Sequence, residues 1–139
     1  MKFVLSSLML CGCVLLIDGP SSAQEPVVDC GKAETQNEMT YCAEQDYLAA
    51  DKALNAQWKL TKKIVVDWDK QLEANARGAE EALMKGQRAW ITYRDGQCEA
   101  AGFAARGGTM EPMLIYACQA EMTTSRTEEL KQLAETIGQ

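Results

Sequence analysis

From Ala43 onward, apolar side chains return every three or four positions: Ala43, Tyr47, Ala50, Leu54, Trp58, Thr61 and Val65. That spacing keeps them on one face of an α-helix. Thr35-Gln-Asn-Glu38 supplies a start signal, because the Thr hydroxyl can accept an orphan backbone N–H while the Glu carboxylate reaches back. No Pro or Gly interrupts the chain between Lys32 and Arg77. The pattern predicts a first helix of roughly 30 residues, about 45 Å long. Asp67-Trp68-Asp69 ends or bends it, and Asn75 to Gly78 is the expected loop, with the boundary between them open.

A second helix is expected from about Ala79 to Ala101. Leu83, Gln87, Trp90, Tyr93 and Gln97 mark one side, with Ile91 and Cys98 beside it. Gly86 within it costs about 1 kcal/mol relative to Ala and suggests close approach of another helix. Gly102 to Gly108 is a glycine-rich connection. Thr109 is the expected N-cap of a third helix, and Pro112 falls in its first turn, where a missing N–H is harmless. Ile115, Cys118, Met122, Leu130 and Leu133 are its expected inward residues, and it frays at Gly138. No strand pattern, repeat or low-complexity tract is visible. The predicted fold is all-α, with three main helices: the first two form a long antiparallel hairpin and the third packs across it.

Residues 1–23 read differently. Lys2 is followed by the apolar run Phe3 to Ile17, then Pro20 and Ser21-Ser22-Ala23, with small residues at −3 and −1 of a cleavage site. This is the pattern of a secretory signal peptide, and the run is short for a membrane span. The mature domain is then 24–139, secreted or periplasmic. Leu10-Cys11-Gly12-Cys13 offers a competing reading as a lipobox with Cys13 lipidated, although Val14 to Ile17 continues the apolar run beyond it.

The export reading changes the meaning of the cysteines. Cys30, Cys42, Cys98 and Cys118 form an even set suited to two disulfides in an oxidising compartment. Of three pairings, Cys30–Cys42 with Cys98–Cys118 needs only local folding back of the chain. One bridge pins the N-terminal arm to helix 1, and the other clamps the glycine-rich loop. Zinc held by four thiolates fits poorly, because there is no C-x₂-C pair. The chain has no histidine, which excludes Ser-His-Asp and Cys-His catalysis and His-ligated metal sites. No cofactor is called for.

Without residues 1–23, 13 basic and 19 acidic side chains remain, and the net charge stays −6. That balance argues against nucleic acid or an anionic membrane and favours a basic partner. The composition leaves the oligomeric state open.

Cys30, Thr35-Gln36, Glu38-Met39, Cys42-Ala43, Asp51, Leu54-Asn55 and Trp58 together resemble the first half of the LprI-like lysozyme inhibitor domain. That family usually has Tyr at the position of Trp58. Gln87, Ala89-Trp90-Ile91, Tyr93-Arg94-Asp95 and Cys98 resemble the second half, with Gly107-Gly108-Thr109, Cys118, Thr123, Arg126 and Leu130. Family members often have Ser after the two glycines. The resemblance implies a secreted or envelope-anchored helical domain, not an enzyme, whose best-described activity is lysozyme inhibition.

The connection from Phe103 to Thr109 is the favoured binding element, because a clamped loop loses little entropy on entering a cleft. Arg106, Gly107, Gly108 and Thr109, with Glu99 and Glu111 nearby, are the candidate contacts to a basic lysozyme; the plainer reading is a helix connector. Asp51 with Asn55, and Trp90 with Tyr93-Arg94-Asp95, read more simply as internal fasteners. Asp67, Asp69, Glu73, Glu80 and Glu81 read as a solvated helix end, or else as a steering patch. The rival from another class is an envelope structural or stress-related interaction module with no enzyme target. A two-carboxylate hydrolase is the least favoured reading, since no acidic pair is placed in a cleft.

Overall fold

The structure is a computed structural model that describes residues 28–139. The expected signal peptide and the Cys13 lipidation site lie outside the described residues. Among these, all regular structure is helical: α1 (Gln36–Gln71), α2 (Ala79–Gly102) and α3 (Glu111–Ile137). Short 3-10 turns at Cys30–Lys32, Ala74–Ala76 and Phe103–Ala105 precede or join them.

The capping box at the start of α1 forms as the sequence predicts. Glu38 N–H donates to Thr35 Oγ1 at 3.2 Å, and the Thr35 N–H donates to Glu38 Oε2 at 2.9 Å. The helix does not stop at Asp67-Trp68-Asp69. It runs 36 residues to Gln71, about 54 Å. Asp69 instead serves the next helix, its carboxylate accepting the N–H groups of Gly78, Ala79 and Glu80. These are orphan donors at the start of α2, whose N-cap Gly78 has no side chain to cap them. The Asp69 carboxyl is held below its ordinary value, chiefly by the Glu80 N–H.

α2 runs antiparallel to α1, as expected of a hairpin. Lys62 pairs with Glu80 near the turn, and Arg94 lies over Tyr47 at the far end. α3 then returns parallel to α1, with Gln36 meeting Met113 and Thr61 meeting Leu130. The closest and longest helix pairing is nevertheless α1 with α3, not α1 with α2. Side-chain size accounts for this. Trp58 and Trp90 pack against the core from α1 and α2, holding those backbones apart. Fully buried Thr61 lets α1 approach α3, where its hydroxyl donates to the Leu130 carbonyl at 2.9 Å.

Leu54, Val65, Leu83 and Leu130 form the buried core. On α2 the buried line is Leu83, Gln87, Arg94, Cys98 and Gly102. Tyr93, Gln97 and Ile91, expected on or beside the inner face, are exposed. The line advances mostly in steps of four, which carries Arg94 inward and rotates Tyr93 out. Gly86 has open space around it, contrary to the expected close approach. The tight contact is at Gly102, where an added Cβ would lie 2.7 Å from Ile115 Cγ1.

Candidate functional site

Both expected disulfides are present, Cys30–Cys42 and Cys98–Cys118. The second closes a 20-residue separation around the α2–α3 connection. Cys98 is fully buried, with Met122 Sδ 3.6 Å from its sulfur. Four residues on, Gly102 seats α2 against Ile115 of α3. The loop therefore leaves two fixed helices from a covalently tied base.

The loop is also braced internally. Gly107 adopts φ +76°, a left-handed conformation suited to glycine. This turns its N–H toward Glu111, whose Oε2 accepts it at 2.7 Å. Arg106 Nη1 donates to Glu111 Oε1, also at 2.7 Å, and its guanidinium lies 4.4 Å from the Phe103 ring centroid. The Gly107 N–H and Arg106 hold the Glu111 carboxyl below its ordinary range, the former more strongly. The expected N-cap is not Thr109. Met110 occupies that position without a side-chain bond; turns closed by the backbone bonds from Gly108 to Ala105 and from Glu111 to Gly108 hold Thr109 in the connection, one residue before the cap.

These facts sort the candidate residues. Glu111 turns inward to brace the loop, its side chain only 18% exposed. Arg106, Gly107, Gly108 and Thr109 stand exposed at the tip, and Glu99 is exposed on the last turns of α2. Phe103 and Met110 add apolar surface, 55% and 45% exposed. Met110 was not among the expected contacts; one apolar residue beside Thr109 gives no periodic signal.

The neighbouring polar groups are structural. Arg94 is 7% exposed, donates to Asp95 at 2.8 Å, and lies over both Tyr47 and Trp90. Its Nη1 reaches buried Thr123 Oγ1 at 3.4 Å. Arg126 donates to Gln87 and Glu129. Asn55 donates to Asp51 at 2.8 Å, so that pair closes on itself within α1. Tyr116 donates to Glu44, whose charge raises the phenol's pKa.

The net charge is unevenly distributed along the bundle. Residues 28–52 and 94–121, which make up the loop-bearing end, carry ten carboxylates against four basic side chains. Residues 53–93 and 122–139 carry eight against nine. The excess negative charge therefore lies in the half of the bundle that bears the loop. The acidic group at the other end is largely neutralised: Asp67 binds Lys63 and Lys70, Glu80 binds Lys62, and Asp69 caps α2.

A helical chain with this cysteine framework can be compared with known families. The family model described as lysozyme inhibitor LprI matches residues 29–130. The chain belongs to this family. The matched span runs from the N-terminal 3-10 turn to the core residue Leu130, so it includes both disulfides and the braced loop. A protein of Rhizobium meliloti (strain 1021), described only as uncharacterized, is 53% identical over 133 residues. That alignment covers 94% of this chain and 92% of the relative. No solved structure matches. As a member of the LprI family, the chain carries the four cysteines among its described residues as two local bridges and its Gly107-Gly108 pair at the tip of the loop.

Proposed function

We propose that this protein is an exported lysozyme inhibitor that binds its target by inserting the α2–α3 loop into the substrate cleft. Membership of the lysozyme inhibitor LprI family is the observation that carries the partner. The mode of binding draws support from the loop. A rigid segment loses little conformational entropy on association, and this one is tied by Cys98–Cys118, braced by Glu111 and seated at Gly102. Arg106 and Thr109, exposed at the tip, are the proposed contacts to cleft carboxylates and sugar-binding groups, with Phe103 and Met110 supplying apolar area. The acidic end around them attracts a basic enzyme and raises the encounter rate. Inhibition is by occlusion, and the protein performs no chemistry of its own. The two disulfides fit a secreted or periplasmic location.

The test is lysis of a cell-wall suspension by lysozymes of several types, with and without the mature protein. The expected result is slower lysis with at least one type, and association that weakens as salt is raised. Unchanged lysis at large molar excess across all types would leave an envelope structural or stress-related module as the reading. Turnover of cell-wall fragments by the protein alone would make it a hydrolase.

A further inference from the structure

The opposite half of the bundle carries a second feature, unrelated to the loop. Beside the first turns of α2, one face of α1 carries a shallow, open groove of about 370 Å³, with Lys59, Lys62, Lys63 and Lys70 around an apolar floor of Trp58 and Val66. Asp67 is the only acid lining it. It draws Lys63 and Lys70 to 2.6 and 3.2 Å, while Lys62 reaches Glu80 at 3.5 Å. Four lysines against two carboxylates, Asp67 in the lining and Glu80 beside it, leave this depression net cationic in a chain of net charge −6.

We propose that this groove binds an anionic glycan, with a sugar ring against the Trp58 indole and its carboxylate or phosphate groups on the lysines. Charge complementarity sets the sign of the ligand, and Lys62, Lys63 and Lys70 each retain donors beyond one carboxylate contact. The floor sets the class. Trp58 and Val66 are half-buried, so they offer little of the exposed apolar face that insertion into a membrane would need. The groove wall is helical and offers no sheet edge to an extended acidic peptide. An aromatic floor with a cationic rim suits a charged sugar of one or two rings.

The experiment titrates the folded mature protein with tetragalacturonate, following backbone and indole N–H resonances. Chitotetraose, poly-glutamate and phosphatidylglycerol vesicles are run in parallel. Expected are shifts at Trp58 and Lys59 to Lys70, binding that weakens with salt, and at least tenfold weaker binding in the triple variant Lys59→Gln/Lys63→Gln/Lys70→Gln. These side chains are exposed, so the variant should fold, and circular dichroism checks that it does. It should inhibit lysozyme as well as the parent, which keeps this site separate from the loop. Absence of binding at millimolar tetragalacturonate, equal binding of chitotetraose, or an unchanged triple variant would overturn the proposal. Tighter binding of poly-glutamate or of vesicles than of tetragalacturonate would overturn it in favour of an acidic protein or a lipid surface.

Discussion

Replacing both Cys98 and Cys118 by Ala removes the covalent tie at the base of the loop while avoiding a buried, unpaired hydroxyl at the fully buried Cys98. The loop-closure entropy released to the unfolded chain across a separation of 20 residues corresponds to about 3 kcal/mol. For a domain of this size that is a fall in Tm of roughly 10–15 °C. The matched control is Cys30→Ala/Cys42→Ala. Its separation of 12 residues gives a similar loss, again about 3 kcal/mol. Thermal unfolding followed by circular dichroism reads the stability, and the lysis assay, run well below both midpoints, reads inhibition. The two variants should lose comparable stability, while inhibition weakens much more in the first, where the loop is released. An unchanged Tm in the Cys98/Cys118 variant would refute the stability argument. Equal loss of inhibition in both variants would refute the role of a pre-organised loop.

Gly102→Ala places a Cβ 2.7 Å from Ile115 Cγ1 and should cost about 1–3 kcal/mol in chemical denaturation, whereas Gly86→Ala, in open space, should be stabilising. Arg94→Ala removes a buried guanidinium stacked on Tyr47 and Trp90 and should cost about 2–4 kcal/mol; Arg94→Met should recover much of that by refilling the space. The carboxyls of Asp69, Glu38 and Glu111 all sit below their ordinary values because backbone N–H groups donate to them. Their contribution to stability is therefore present above the ordinary carboxylate range and lost as pH falls below about 4. Asp69→Asn should lower Tm at pH 7 and flatten the decline between pH 5 and 3; an unchanged pH profile would count against the capping role.

The features legible in the sequence were those set by local chemistry. The Thr35–Glu38 box, the breaks near Gly78 and Gly102, and the two local cysteine pairings all depend on residues close in the chain. What was missed depends on how the helices meet. Tyr93 and Arg94 are adjacent; Arg94 reads as an internal fastener from its sequence, but hydrophobicity alone puts Tyr93 inside as well, and it is exposed. The structure buries Arg94 because Tyr47, Trp90, Thr123 and Asp95 surround its guanidinium, and three of these four come from other turns or helices. Asp69 looked like the end of α1, yet its partners are nine to eleven residues away across a turn. Gly86 and Gly102 are indistinguishable by composition, and only the position of Ile115 separates them. The candidate loop was visible as a glycine-rich segment between two cysteines, but the inward turn of Glu111 follows from the backbone at Gly107.

The central claim is that the braced α2–α3 loop is the surface that meets lysozyme. Hydrogen–deuterium exchange on the mature protein, free and saturated with an inhibited lysozyme, tests it most directly. The account predicts new protection concentrated at residues 103–110, with little change at 59–70. Protection confined to other faces, with the loop exchanging as in the free protein, would contradict it.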